Sequence, residues 1–187
     1  MDDLVLQFCP ASFGLDLAFR KYLNVEEVQG VTRFIFRGDM SVASKVSSKT
    51  KIPLEREINS AVSDTDCASL RIGPDEWLLL MRDFSSRQIL SEVKNAAGEH
   101  SHSLVDVSHR SVGLKFSGEG VATGLAAGCP LPLGIKRFPI GRCTRTLFGK
   151  AEVILWRQAE RIFRMEVWRS FAPYILTFIE SQTESSD

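Results

Sequence analysis

The chain has 187 residues, 44% of them apolar and 12 of them Phe, which is enough for one large domain or two small halves with a full core. Its formal net charge at pH 7 is zero, which disfavours a nucleic-acid-binding role. No run of about 18 apolar residues predicts a membrane-spanning helix. The acidic start MDDLVLQFCP is unlike the basic start of a secretory signal, so we expect a cytoplasmic protein.

The four cysteines, Cys9, Cys67, Cys129 and Cys143, are scattered along the chain. They lack the paired spacing of a zinc site or a disulfide framework, so we expect reduced thiols and place Cys129 in the core. Charge is uneven: residues 101–170 hold 11 Lys and Arg against 5 Asp and Glu. This excess is typical of solvated strand faces, or it marks an anionic ligand or an acidic partner surface.

Taken in chain order, the predicted elements form two α+β halves. After an N-terminal extension over residues 1–30, the first half covers residues 31–103, and within it Ser41–Ser63 reads as a mobile loop. A helix from about Ser86 places Ile89, Leu90, Val93 and Ala97 on one side and stops at Gly98.

The second half covers residues 104–180. Its predicted strand around Val112 leads through a Gly turn into a helix that carries Val121, Leu125 and Cys129. A strand over residues 162–167 alternates charged and apolar side chains and therefore predicts one buried face. Ser170 is the predicted N-cap of the last helix, Pro173 falls in its first turn, and residues 181–187 read as a disordered tail.

An internal repeat supports this division. FIFRGDMSVASKVS from Phe34 and LKFSGEGVATGLAA from Leu114 each read as a strand, a Gly turn and a small-residue helix. Downstream, EWLLLM and the helix from Phe84 parallel FRMEVW and the helix after Ser170. The pattern predicts two ferredoxin-like, split βαβ halves with helices on one side of an antiparallel sheet, forming one compact domain.

His109 in DVSHR lies three residues after Asp106 and could be a general base oriented by a carboxylate. We favour a turn in which Asp106 or Ser108 accepts backbone N–H bonds, because no nucleophile motif accompanies the pair. The Gly turns at Arg37 and Ser117 precede helices, whose free N–H groups could receive an anion, but neither has a phosphate-loop pattern. We therefore expect no catalytic residue, no cofactor site and no metal site.

Four segments carry a resemblance: DVSHR from Asp106, GCPLPL from Gly128, RT…KAEVILWR from Arg145, and RSFAPY from Arg169. Together they resemble the aminomethyltransferase-like folate-binding fold, and within it they are most similar to the gamma-subunit family of heterotetrameric sarcosine oxidases. The stretch FGKAEVILW places Val153 and Ile154 near the position where folate-dependent transferases carry an aspartate. Because an aliphatic side chain cannot hold a cationic amine, independent one-carbon transfer is disfavoured.

The resemblance implies a structural, non-catalytic subunit in a complex that demethylates sarcosine to glycine, with tetrahydrofolate as one-carbon acceptor and hydrogen peroxide as product. FAD, FMN, NAD and tetrahydrofolate would be held by partner subunits, and the chain would contact the alpha subunit directly within a complex that also has beta and delta subunits. Arg110, Arg145, Trp156 and Arg169 are the expected contacts, since Arg and Trp are enriched at interface anchor points. The alternatives are a stand-alone folate-binding transferase and a regulatory binding module.

Overall fold

The structure is a computed structural model that describes residues 23–54, 56–82 and 86–184, with side chains described to Ser181. These residues form ten strands, four helices and one short 3-10 turn. In chain order the elements are β1 (Asn24–Val28), β2 (Val31–Gly38), α1 (Met40–Lys49), β3 (Ala61–Ser63), β4 (Cys67–Arg71), β5 (Glu76–Arg82), α2 (Ser86–Ala97), β6 (His102–Asp106), β7 (Ser111–Ser117), α3 (Val121–Ala126), β8 (Cys143–Phe148), β9 (Ala151–Ala159), β10 (Ile162–Trp168), the 3-10 turn Arg169–Phe171, and α4 (Ala172–Glu184).

The strands form two five-stranded sheets in which every pairing is antiparallel. Sheet I has the order β3-β4-β5-β2-β6, and sheet II has the order β1-β7-β10-β9-β8. The predicted α+β class with two antiparallel halves is therefore confirmed.

The two sheets pack face to face, and the helices cover their outer faces. Helices α1 and α2 pack on Phe34, Trp77 and Leu79 of sheet I, while α3 and α4 pack on Phe116 and Phe163 of sheet II. A third core lies between the sheets and includes Leu78, Leu80 and Trp156. Strand β5 is buried on both faces for this reason, which explains the unbroken apolar run WLLLM.

The leading strand of each half pairs with the sheet of the other half. Strand β1 precedes β2 in the chain but pairs with β7, and β6 precedes β7 but pairs with β2. The expected N-terminal extension thus supplies an edge strand of sheet II. The expected boundary between residues 103 and 104 falls inside β6 (His102–Asp106).

Helix α1 confirms the small-residue helix that the internal repeat predicts after Phe34. The mobile loop predicted for Ser41–Ser63 was wrong, because α1 fills the first part of that segment and β3 lies at its end. The helix forms because Val42, Ala43 and Val46 recur at helical spacing and are buried against sheet I. Asp39 caps it by accepting hydrogen bonds from the backbone N–H groups of Ser41 (2.8 Å) and Val42 (2.9 Å). Those N–H groups are consequently occupied and do not form an anion site.

Helix α2 ends as predicted, with Gly98 at a positive φ of 62°, a conformation that glycine adopts without strain. The prediction of its buried face was wrong for Leu90, which is 38% exposed, whereas Ala96 is buried. The prediction extended helix α3 too far, since it ends at Ala126 and the buried Cys129 lies beyond it.

Helix α4 begins at Ala172 after the 3-10 turn, so the N-cap prediction for Ser170 was wrong, while Pro173 does lie in the first turn. The helix continues to Glu184, four residues into the segment expected to be a disordered tail. Residues 185–187, Cys9 and Phe84 lie outside the described residues.

Candidate functional site

A buried cluster of three charged side chains joins the two sheets. Arg33 of β2 donates from Nε to Glu166 Oε2 of β10 at 2.6 Å, and Arg164 Nε donates to Glu166 Oε1 at 2.7 Å. All three residues are at most 6% exposed. One carboxylate thus faces two guanidinium groups, and the cluster carries a net charge of +1 in the buried layer between the sheets.

The hydrogen-bonding capacity of these arginines is not filled. Arg33 Nη1 donates to Val31 O at 2.8 Å, but Arg33 Nη2 and Arg164 Nη2 have no hydrogen-bond partner in the described residues. Arg164 Nη2 lies 2.7 Å from Glu166 Oε1, the oxygen that Nε already uses, without the alignment of a hydrogen bond.

Gly113 makes room for this cluster. It lies opposite Glu166 in the β10–β7 register, and a Cβ atom there would lie 2.6 Å from Glu166 Oε1 and 3.0 Å from Arg33 Nη2. Any larger residue at Gly113 would displace the carboxylate that holds both guanidinium groups.

A second buried carboxylate, that of Glu76, also links the two sheets. Glu76 of β5 is 6% exposed and accepts from Arg37 Nη2 at 2.8 Å and from Arg145 Nη2 of β8 at 2.7 Å. The Arg145 side chain also lies 3.7 Å from Glu152 Oε1. Arg145, an expected partner contact, is therefore partly committed to contacts within its own chain.

Two other expected partner contacts, Arg110 and Arg169, meet on the surface. The guanidinium of Arg110 lies over the ring of Trp168 at 5.5 Å from its centroid, and Arg169 N donates to Arg110 O at 2.8 Å. Trp168 is 48% exposed, and Phe171 nearby in the chain is 37% exposed. These four residues define a basic and aromatic patch, which we call the Arg110 patch.

Trp156, the fourth expected contact, is 5% exposed and belongs to the core between the sheets. A partner subunit that docks on the surface of this chain cannot contact Trp156, because its side chain faces sheet I. This orientation could not be predicted from the strand alone, because β9 carries large apolar side chains on both faces, Val153 and Leu155 on one and Ile154 and Trp156 on the other. Trp168 takes its place among the exposed aromatic residues, and only its position at the end of β10 could have indicated that exposure.

The position where folate-dependent transferases are expected to carry an aspartate lies on β9. Val153 faces the core beneath the helices, Ile154 faces the layer between the sheets, and the exposed Glu152 lies at the start of β9, beside the β8–β9 turn. Glu166 is paired with Ile154 in the register, so a carboxylate does stand beside this position. Sequence reasoning missed it, because Glu166 lies on the neighbouring strand.

These residues do not fit folate. The Glu166 carboxylate is already held by two arginines, and the cavity that Val153, Ile154 and Glu166 line has a volume of about 40 Å³. That volume is close to the space of a single water molecule and far below that of a pterin ring.

The DVSHR segment forms a turn in the manner that we favoured. Asp106 Oδ1 accepts from Ser108 N at 2.8 Å, and Asp106 Oδ2 accepts from the Ser86 hydroxyl. Partial burial would raise the pKa of Asp106, but the hydrogen bonds from Ser108 and Ser86 outweigh it and hold that pKa below its ordinary value. His109 is exposed on this turn.

The GCPLPL segment is anchored by the last residue of KAEVILWR. Arg157 is 3% exposed, and its Nη1 donates to Leu133 O at 3.0 Å and to Phe138 O at 2.7 Å. Burial lowers the pKa of Arg157, and the nearby Glu160 carboxylate opposes that shift. The guanidinium also lies 4.5 Å from the centroid of Phe163, so one side chain ties the loop to sheet II.

RSFAPY packs on the turn between β8 and β9. Tyr174 Oη accepts from Lys150 N at 3.2 Å, and a Cβ at Gly149, which has φ of 57°, would lie 2.3 Å from that oxygen. The motifs are therefore contacts of one another and support the fold of sheet II.

No group of three His, Cys, Asp or Glu side chains in the described residues could hold a metal ion. Within the same residues, no helix has both the length and the apolar character needed to cross a bilayer. No disulfide joins the described cysteines, all three of which are buried, and Cys129 lies in the core as predicted.

Solved structures share this fold. A chain of the heterotetrameric sarcosine oxidase from Corynebacterium sp. U-96, in complex with pyrrole 2-carboxylate, superposes with a TM-score of 0.81 at 22% identity over 89% of this chain and 86% of that one. The aminomethyltransferase T of the glycine cleavage system from Bartonella henselae superposes with a TM-score of 0.64 at 14% identity, over 87% of this chain and 46% of that one. The expected aminomethyltransferase-like fold is thereby confirmed.

Proteins with similar sequences point to the same complex as the first of these structures. The sarcosine oxidase subunit gamma of Corynebacterium sp. (strain U-96) is 26% identical over 173 residues, covering 91% of this chain and 79% of the relative. The subunit gamma of Arthrobacter sp. is 27% identical over 147 residues, covering 78% and 67%. The model of the sarcosine oxidase gamma subunit family matches residues 37–185, a range that contains all four motifs and the side chains that join them. The chain therefore belongs to the sarcosine oxidase gamma subunit family.

Proposed function

We propose that this chain is a structural, non-catalytic subunit of a heterotetrameric sarcosine oxidase. The family match over residues 37–185 carries the proposal. The chemistry of the described residues supports it, because the charged side chains between the sheets are held in ion pairs and the space beside β9 is too small for a pterin.

In this proposal the oxidation of sarcosine to glycine, with tetrahydrofolate as one-carbon acceptor and hydrogen peroxide as product, takes place in the other subunits. FAD, FMN, NAD and tetrahydrofolate are bound there. This chain contributes side chains that hold its two sheets together and a surface that docks onto the alpha subunit, within a complex that also contains beta and delta subunits. We place the complex in the cytoplasm, where thiols such as those of Cys67 and Cys143 stay reduced.

The Arg110 patch is the proposed docking surface for the alpha subunit. An exposed Trp with a guanidinium over its ring combines the two residue types that dominate binding at protein interfaces. The side chain of Arg145 is 38% exposed, and its Nη2 is paired with Glu76. Only the rest of this guanidinium is available for contacts with a partner subunit.

The test is coexpression of this chain with the alpha, beta and delta subunits, followed by the mass of the complex and its oxidase activity. We expect Arg110→Ala combined with Trp168→Ala to weaken association by about 30-fold or more, as for anchor residues elsewhere. Arg161→Ala is the matched control, because Arg161 is also exposed but pairs with Glu119, outside the Arg110 patch.

Two results would contradict the proposal. A stable and fully active complex of the alpha, beta and delta subunits without this chain would remove the structural role. Saturable binding of tetrahydrofolate to the isolated chain would favour a free-standing folate-binding transferase instead. Unchanged association of the double variant, with the complex itself intact, would overturn only the assignment of the docking surface.

A further inference from the structure

The segment from α3 to the start of β9 has a charge imbalance that the fold does not require. Between Glu119 and Glu152 the sequence contains no Asp or Glu and five basic residues, Lys136, Arg137, Arg142, Arg145 and Lys150. Arg145 pairs with Glu76, and Lys150 lies in the β8–β9 turn. The other three lie in residues 134–142, which we call the Arg137 loop.

The three positive charges of this loop are not compensated. The side chains of Lys136, Arg137 and Arg142 are exposed, and within the described residues they make no ion pair and no hydrogen bond. Glu160, in the neighbouring β9–β10 turn, interacts with the buried Arg157 and therefore offsets a different charge. An exposed patch with charge of one sign attracts a partner of the opposite sign.

Two apolar side chains accompany these charges. Ile135 is 44% exposed, and Ile140, at 57%, is the most exposed large apolar side chain in the part of the chain that the structure describes. The aromatic residue of the loop, Phe138, is buried, so the loop presents no ring for stacking on bases or for insertion at a lipid surface. These observations favour a protein partner over a nucleic acid or a membrane.

The loop is held in one conformation although much of it faces solvent. Phe138 N donates to Gly134 O at 2.9 Å and closes a tight turn. The ring of Phe138 stacks on Phe163 of sheet II with 6.1 Å between the ring centroids. Gly141 O accepts from Ala61 N of sheet I at 2.7 Å, in addition to the loop contacts of the buried guanidinium described above. A surface that is fixed in advance loses less conformational entropy on binding.

The Arg137 loop and the Arg110 patch lie towards opposite ends of sheet II. Phe163, which contacts the loop, is the second residue of β10, whereas Trp168 of the Arg110 patch is the last. This stretch of strand spans about 17 Å. The two surfaces are therefore distinct.

We propose that the Arg137 loop is a second docking surface, which binds an acidic surface of a partner subunit. Its three basic side chains face carboxylates of the partner, and its two isoleucines pack against apolar side chains among them. This inference rests on the proposed role as a subunit and adds the chemistry of a contact that the Arg110 patch does not supply. Binding through opposite charges weakens as salt concentration rises.

The experiment uses the complex coexpressed with the alpha, beta and delta subunits and purified through a tag on the alpha subunit. The complex is diluted in NaCl at about 0.1 M and about 1 M, between which the Debye length falls from about 10 Å to about 3 Å. The fraction that retains this chain gives its Kd. We expect Lys136→Glu combined with Arg137→Glu to raise Kd about tenfold or more at the lower salt and less than about threefold at the higher.

Matched variants lie on α2. Arg87→Glu combined with Lys94→Glu makes the same change in net charge on exposed residues, and we expect it to change Kd less than about twofold. Ile140→Ala should raise Kd about fivefold at both salt concentrations, whereas Leu90→Ala, at another exposed apolar residue, should leave it unchanged. Circular dichroism of each purified variant shows that it folds.

Equal Kd values for the two charge-reversed variants at the lower salt overturn the docking surface and leave the proposed subunit role in place. Failure of the unmodified chain to co-purify with the alpha subunit overturns both. A loss of affinity that persists unchanged at the higher salt overturns the assigned chemistry, because it is not electrostatic. Binding of the purified chain to phosphatidylglycerol vesicles, or its self-association, also overturns the proposal if Lys136→Glu with Arg137→Glu abolishes it. A loss at low salt that shrinks at high salt, with the α2 variants unaffected, supports the proposal.

Discussion

Replacing Glu166 with Gln tests how the two sheets are held together. The substitution keeps the shape of the side chain and removes the one negative charge that, among the described residues, pairs with Arg33 and Arg164. Two buried guanidinium groups would then lie close together without a counter-ion. Removing one partner of a buried ion pair costs about 3–5 kcal/mol, and here two pairs lose the same partner.

The expected loss in the free energy of unfolding is therefore about 4 kcal/mol, a large part of the 5–15 kcal/mol that is typical of domains. For a chain of this size it corresponds to a decrease in Tm of about 8–16 °C. Urea unfolding, followed by circular dichroism, measures the free energy, and calorimetry measures Tm.

Glu119→Gln is the matched control. Glu119 also pairs with an arginine, Arg161 at 2.8 Å, but both side chains are more than half exposed. The expected effect is below about 0.5 kcal/mol, since exposed ion pairs contribute little. A loss below about 1 kcal/mol for Glu166→Gln would refute the reasoning, because it would mean that water reaches the cluster and screens its charges.

Three further predictions follow from single residues. Gly113→Ala should lower the free energy of unfolding by about 2–3 kcal/mol, because the new Cβ displaces Glu166. Gly134→Ala, whose Cβ meets nothing within 4 Å, should change that free energy by less than about 0.5 kcal/mol, and equal urea midpoints for the two variants would contradict the prediction. Arg157→Met should cost about 2–4 kcal/mol and speed amide hydrogen exchange in residues 128–142, and unchanged exchange there would show that the loop holds without the guanidinium. Burial, with Asp64 and Asp66 nearby, raises the pKa of the Cys67 thiol to about 12. Because the unfolded chain releases this proton at a lower pH than the folded chain does, the free energy of unfolding should fall as pH rises from about 9 to about 12. The expected loss at pH 10 is about 1.4 kcal/mol, and this loss should be absent in Cys67→Ala.

Strand β10 shows what the sequence could predict and what it could not. The alternation of Arg164 and Glu166 with Phe163 and Met165 correctly predicted a strand, but the prediction of a single buried face was wrong. Charged residues on alternate positions are typical of a solvated face. Here that face is buried, because Arg33 reaches Glu166 from the other sheet. Nothing local to β10 reveals a compensating charge on β2.

The internal repeat correctly predicted the strand, Gly turn and helix that follow Phe34 and Leu114, because the pattern of each of these elements lies within a few neighbouring residues. The pairing of β1 with β7 and of β6 with β2 could not be predicted in the same way. Alternation defines a strand but does not select its neighbour in the sheet. For the same reason Trp156 was placed on the surface, although it faces the opposite sheet.

The exchange of leading strands has a consequence for biosynthesis. Residues 24–28 leave the ribosome early, yet their hydrogen-bonding partners, residues 113–117, are made only after the whole of sheet I has been translated. Until then β1 is an unpaired edge that can join other chains. We expect a chain truncated after β6 to aggregate instead of folding as half a molecule, because β1 then has no partner strand and the inner face of sheet I has no sheet II to cover it.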